Sequence, residues 1–194
     1  MLFDTHAHYY DKKFDADRDE ILSKMKENGV GYIINAGCDV ETTKRCIALA
    51  ERYDFLYATA GIHPNHTFDM NDRSLDGIKM LAKHPCVKAI GEIGLDYYWR
   101  QDTKEKQKEV FESQILLAKE LDLPIIVHDR EAHEDTMKLL KKYRPKGVVH
   151  CFSGSAEMAK EILKLGMSLI LLGFLGINDY ACIIGDNEVI GTGI

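Results

Sequence analysis

The alternation of short apolar runs with amphipathic stretches constrains this chain more than any other feature. Runs at 2–8, 30–36, 55–62, 87–91, 124–127, 148–151 and 167–172 read as strands too short for anything but burial on both faces. Between them, 17–28, 42–53, 75–83, 103–121, 131–143 and 156–165 read as helices. Ile21, Leu22 and Met25 have helical spacing before a C-capping Gly29, and Val110, Phe111, Ile115, Leu116 and Leu117 mark the buried side of the longest helix. Strand and helix in strict turn predict a parallel sheet covered by helices, either an open doubly wound sheet or a (β/α)8 barrel. No Gly-x-Gly-x-x-Gly follows the first strand, so a dinucleotide fold has no support.

The polar residues favour the barrel. Phe3-Asp4-Thr5-His6-Ala7-His8, Val87-Lys88-Ala89-Ile90-Gly91-Glu92, Ile125-Ile126-Val127-His128 and Gly147-Val148-Val149-His150 each run from apolar strand straight into a metal-ligating side chain. In a parallel barrel all strand C-termini open on the face that carries catalysis. His6 and His8, two residues apart on a strand, point the same way. Together His6, His8, Glu92, His128 and His150 form an expected metal site, because so many buried polar groups without partners would be costly.

Four imidazoles and one carboxylate, with thiolates unused, suit Zn, Mn, Ni or Fe, and Mg or Mn where water and substrate oxygens complete the shell. Five ligands exceed the three usual for one open catalytic zinc, so two divalent ions bridged by Glu92 is the simpler expectation. Such a pair outweighs the single charge of Glu92 and attracts an anionic substrate. It also stabilises both the attacking and the leaving oxygen of a displacement at phosphorus, which makes phosphoester hydrolysis the leading chemistry. His63, in Gly61-Ile62-His63-Pro64-Asn65, is a candidate substrate contact, with a structural turn as the alternative. Arg130 is a candidate phosphate contact, with an ion pair as the alternative. Asp96-Tyr97-Tyr98-Trp99-Arg100 follows Glu92 and reads either as a mouth with rings to stack on bases or as a loop packed over the barrel. His66, His84 and His133 read as solvated.

Composition bounds the rest. A net charge of -6 leaves no basic stripe of the kind that drives non-specific duplex binding. Five scattered cysteines, with no C-x-x-C pair, argue against a disulfide framework and a thiolate zinc site. No run is long enough to span a membrane and no secretory h-region opens the chain, so a cytoplasmic protein is expected, with no membrane or protein partner indicated. From 173 to 194 the pattern is lost among five glycines. A complete barrel needs about 250 residues. The expectation is therefore α/β, a TIM-like (β/α) barrel in 1–172 with seven strands recognisable and the eighth missing, followed by a tail at 173–194.

Asp4-Thr5-His6-Ala7-His8, Gly61-Ile62-His63-Pro64, Ile90-Gly91-Glu92-Ile93-Gly94-Leu95-Asp96-Tyr97, Val127-His128-Asp129-Arg130 and His150-Cys151-Phe152-Ser153-Gly154 closely resemble the TatD family. These are metal-dependent deoxyribonucleases within the amidohydrolase superfamily, and the likeness runs from residue 1 to about 172. The resemblance implies a TIM-like barrel with two divalent metals, one held by His6, His8 and Glu92, the other by Glu92, His128 and His150. It places His63 near the substrate phosphate. Asn65 stands where the family usually has another histidine. Glu92 stands where the carbamylated-lysine amidohydrolases would need a lysine, which favours the TatD branch. The family continues to an eighth strand whose aspartate approaches the attacking water; nothing after Leu172 matches it, so no catalytic residue is identified and the member looks C-terminally shortened or altered.

The implied activity is hydrolysis of DNA phosphodiesters, from single strands or chain ends, with Mg, Mn or Zn. The alternatives are an inactive metal-binding remnant, for want of that aspartate, and a small-ester or amide hydrolase on the same site.

Overall fold

The structure is a computed structural model. It describes residues 1–71, 73–173, 180–185 and 188–193, with side chains to residue 170. The expected alternation is present as β1 (Leu2–Ala7), α1 (Arg18–Lys24), β2 (Val30–Asn35), α2 (Val40–Arg52), β3 (Leu56–Ala60), α3 (Ser74–Leu81) and β4 (Val87–Asp96). It continues through α4 (Lys104–Glu120), β5 (Ile125–Arg130), α5 (His133–Tyr143), β6 (Gly147–Val149), α6 (Ala156–Lys164) and β7 (Ser168–Gly173). Each strand pairs in parallel with the next in sequence, from β1 to β7. The result is a curled half-barrel with its strand C-termini on one face. Among the described residues no helix is long and apolar enough to cross a membrane.

Two further strands follow, β8 (Tyr180–Gly185) and β9 (Glu188–Gly193), both antiparallel to their neighbours. Six residues separate β7 from β8, whereas a parallel crossover takes a dozen or more. The strand can therefore only return beside β7 in the opposite sense. β9 in turn comes within contact of β1. No parallel eighth strand is present among the described residues, and the tail that carries no helical or strand periodicity supplies this hairpin instead.

β4 runs past its expected end at Gly91 to Asp96, because the apolar run resumes after Glu92 as Ile93 and Leu95. Its register with β5 breaks between Ile90 and Ile93, and the Glu92 N–H turns away to donate to the Gly37 carbonyl at 2.8 Å. A bulge of this kind re-aims one side chain within a continuing strand. Gly94 has φ +142°, and a Cβ there would run into the His128 carbonyl, so β4 and β5 approach closely only with glycine at this position.

The core lies between the sheet and α4, where Phe111 and Ile115 pack with Ile90, Ile93, Leu95, Ile125 and Val127, all fully buried. Truncating Phe111 to alanine there costs about 3 to 5 kcal/mol. On the same α4 face, Gln107 and Gln114 are fully buried yet polar. Gln114 accepts from the Ile62 N–H at 2.7 Å and donates to the Ile62 carbonyl at 3.0 Å. Gln107 does the same at Asp96, at 2.8 and 3.1 Å. The long helix thus packs the sheet and clamps the backbone beside His63 and at Asp96.

Candidate metal centre

Parallel pairing brings the C-terminal ends of β1, β3, β4, β5 and β6 to a common cleft. Its floor is Glu92, only 5% exposed. Among the described residues, two groups of potential ligands share this carboxylate: His6, His8 and Glu92, and His63, Glu92 and His128, each with donor atoms within 4.8 Å of one another. His6 Nε2 and His8 Nε2 face each other at 3.1 Å and lie 3.3 and 3.9 Å from Glu92 Oε2. On the other oxygen, His128 Nδ1 is 3.0 Å and His63 Nε2 is 3.6 Å from Oε1.

His150 stands outside both triads. Its ring stacks on His6 with centroids 3.7 Å apart and planes 14° from parallel. Both His6 Nδ1 and His150 Nδ1 are buried without a hydrogen-bond partner among the described residues. The family resemblance groups His150 with Glu92 and His128; here His63 is the histidine found beside that pair.

Hydrogen bonds assign the protons. Tyr10 Oη donates to Cys38 Sγ at 3.5 Å, so its oxygen is left to accept Nδ1–H of His8 at 3.0 Å. That tautomer leaves the His8 Nε2 lone pair aimed at His6 and Glu92, as a ligand requires. His63 is fixed the opposite way. Its Nδ1 accepts the Asn65 N–H at 3.1 Å, so Nε2 carries the proton and faces the cleft as a donor. His128 is spanned by two carboxylates, Nδ1 to Glu92 and Nε2 to Asp96 Oδ2, each at 3.0 Å.

Electrostatics follow burial and these partners. Burial works to raise the Glu92 carboxyl, but the hydrogen bonds from His128 and His6 outweigh it and hold the group well below the usual carboxylate range. Burial pushes His150 down to about 3, helped by His6, and His63 down to about 4. His8 is lowered, chiefly by burial. His128 is raised, because Glu92 and Asp96 overcome its burial. The donor set fits divalent cations: imidazole nitrogens that face one another beside a buried, ionised carboxylate are what such an ion resolves.

Asp96 is the residue sequence reasoning underrates. It is 1% exposed; one oxygen meets His128, and the other accepts from the Tyr98 and Trp99 N–H groups, both at 3.0 Å. The chain does carry a signal for it, since it lies four residues beyond Glu92 on the same strand and hence on the same face. Tyr10, two residues after His8, is also missed by sequence reasoning. Arg130 ends β5 exposed, its guanidinium 4.0 Å from the Tyr98 ring centroid and 5.5 Å from that of Trp99. The ion-pair alternative for Arg130 finds no carboxylate among the described residues. Asp179 and Asp186, neither assigned the role of the family aspartate, lie outside the described residues.

Parallel strands ending in histidines around one buried glutamate define a class, the barrel-type metal-dependent hydrolases. The pattern of the family described as "TatD related DNase" matches residues 3–180. The "Uncharacterized metal-dependent hydrolase YabD" of Bacillus subtilis is 46% identical over 172 residues, 87% of this chain and 68% of that protein. The "3'-5' ssDNA/RNA exonuclease TatD" of Cronobacter turicensis is 36% identical, over 93% of this chain and 68% of its own length. Among solved structures, YjjV, a TatD homologue from Escherichia coli K12, superposes with a TM-score of 0.82 at 36% identity, over 87% of this chain and 66% of that one. This chain belongs to the TatD related DNase family, and it spans about two thirds of the length of the relatives it matches.

Proposed function

We propose that this chain is a metal-dependent phosphodiesterase that hydrolyses DNA, entering from single strands or chain ends. The observation that carries the reading is Glu92, one buried ionised carboxylate shared between two groups of histidines. His6, His8 and Glu92 are the ligands we assign to one divalent ion. The second we assign to Glu92, His128 and His150 on the family resemblance alone, since His150 here stacks on His6; Mg, Mn or Zn fits this set. Ions held there supply Lewis-acid charge to the phosphoryl oxygens and an activated water. The nucleic-acid substrate is supported by relatives named as single-stranded DNA and RNA exonucleases.

The chain's own residues have distinct tasks. Glu92, kept ionised by His128 and His6, holds negative charge at the cleft floor. His63, kept neutral by burial, donates from Nε2 to a phosphate oxygen. Asp96 orients His128 from the far side. Arg130 offers positive charge at the rim, where the chain's overall -6 would otherwise repel a polyanion. We assign this chemistry to residues 1–172 and none to 173–194. A cytoplasmic location belongs to the same reading, supported by free thiols at Cys38, Cys46, Cys86 and Cys151.

The test is cleavage of a labelled oligonucleotide with added Mg or Mn, beside Glu92→Ala. Cleavage in the wild type and none in the variant is expected; cleavage that persists in the variant rejects the shared carboxylate. A second reading, metal binding without turnover, is favoured by one observation. β8 returns antiparallel to β7, whereas the family's catalytic aspartate is implied after a parallel eighth strand. Two equivalents of bound metal with no cleavage would establish that reading.

A further inference from the structure

The exposed rings beside the cleft form a second feature. Trp99 is 61% exposed and Tyr98 47%, yet both are fixed. Their backbone N–H groups are held by Asp96 Oδ1, and the rings stand edge to face with centroids 4.7 Å apart. Arg130 caps Tyr98 and reaches Trp99. Arg100, the next residue in the chain and itself paired with Asp102, lies 4.0 Å over the exposed ring of Phe68.

Large aromatic rings held upright in solvent sacrifice burial, and a folded chain retains them where something else covers them. Rings interleaved with arginines suit one occupant, an unpaired nucleic-acid strand: each base offers a π-face to a ring, and its phosphate offers charge to a guanidinium. A duplex hides the faces of its bases. The rim is also coupled to the cleft, because the carboxylate that fixes Tyr98 and Trp99 is the one that meets His128.

We propose that Tyr98, Trp99 and Arg130 form a stacking track for the unpaired bases next to the phosphate held over Glu92, and so select single strands over duplex. This deepens the phosphodiesterase reading and rests on it for the placement of that phosphate. Trp99 is the sole tryptophan of the chain, so its fluorescence reports on the track alone.

The experiment titrates the Mg-loaded protein with a short phosphorothioate oligothymidylate, which resists cleavage, and with a blunt duplex of comparable length. Saturable quenching by the single strand and little by the duplex is expected. Tyr98→Ala and Arg130→Ala each weaken single-strand binding at least about fivefold. On cleavable oligonucleotide, Trp99→Ala raises KM by at least about fivefold with a smaller effect on kcat. No quenching by the single strand, or equal quenching by the duplex, overturns the track. Quenching without cleavage by the wild type leaves the track standing and removes the phosphodiesterase reading. Cleavage by Trp99→Ala with wild-type KM does the reverse.

Discussion

The two sides of the cleft use the same residue types in opposite states. On the β1 side, the Nε2 atoms of His6 and His8 point at each other, while Nδ1 of His6 and of the stacked His150 are buried without partners. On the β4–β5 side, His128 has a carboxylate on each nitrogen, and His63 has its Nδ1 satisfied by Asn65. A single N–H···N bond satisfies both facing nitrogens, and Tyr10 satisfies the outer nitrogen of His8, so the buried Nδ1 atoms of His6 and His150 are the ones left without partners among the described residues. The β1 side is the starved one, and a cation there displaces only that one N–H···N bond. The β4–β5 side is saturated, and a cation there must first displace hydrogen bonds already made. The two positions should therefore fill in sequence, β1 side first.

Glu92→Ala bears on both sides at once and is the largest expected effect. It removes the shared carboxylate and leaves His6, His63 and His128 without their common partner. Oligonucleotide cleavage should fall on the order of a thousandfold or more, and calorimetric metal titration should lose both binding steps. Retention of one intact step would show that the two sides do not depend on one carboxylate.

Single-sided variants separate the two. His6→Ala should weaken the tighter metal step by at least about a hundredfold, while His128→Ala should leave that step and weaken the second one. Calorimetry on the two variants checks this. The reverse assignment would break the starved-versus-saturated distinction.

Much of this arrangement is legible in the order of residues alone. Apolar runs ending in His8, Glu92, His128 and His150, alternating with helices, imply that those ends share one face, because parallel strands have no other way to lie. Which histidine meets which is another matter. The break between Ile90 and Ile93 that turns Glu92 inward depends on pairing with β5, and the stacking of His150 on His6 depends on how far the sheet curls. Neither leaves a periodicity in the chain. Asp96 is half visible, in the right segment and on the right face, but its tie to His128 is a tertiary fact. The β8–β9 hairpin departs from the sequence expectation, since Ile183-Ile184 and Val189-Ile190 are too short as apolar runs to announce strands.

Acid should act oppositely on different histidines of the cleft in metal-free protein, with His63 and His150 on one hand and His128 on the other. His150, at about 3, and His63, at about 4, lie below the ordinary value of 6.5, so the unfolded chain binds their protons more readily. Their contribution is full above pH 6.5 and is lost as pH falls toward their folded values, by about 1.4 kcal/mol per pH unit for each. Glu92, held low, adds to the acid loss only below its ordinary 4.5. His128, raised, contributes fully below 6.5 and loses that contribution as pH climbs through its folded value. Thermal melts in chelator between about pH 5 and 8 should therefore peak near 6.5. His150→Asn should flatten the acid side and His128→Gln the alkaline side; a variant that flattens the other side would contradict these signs.

The finest test of the two-sided cleft is Tyr10→Phe, because it leaves every candidate ligand in place. Tyr10 gives its proton to Cys38 and accepts Nδ1–H from His8, which keeps the His8 Nε2 lone pair directed into the cleft. Phenylalanine fills the same volume but removes the acceptor, so the His8 ring is free to carry its proton on either nitrogen. Outer-shell partners of this type are worth about 10 to 100-fold in metal affinity, and a neutral phenol belongs at the lower end. The first metal step should weaken about tenfold and the second should not move, since the hydrogen bonds around His128 do not pass through Tyr10. Should the second step weaken instead, His8 would not be the residue that makes the β1 side call for its ion.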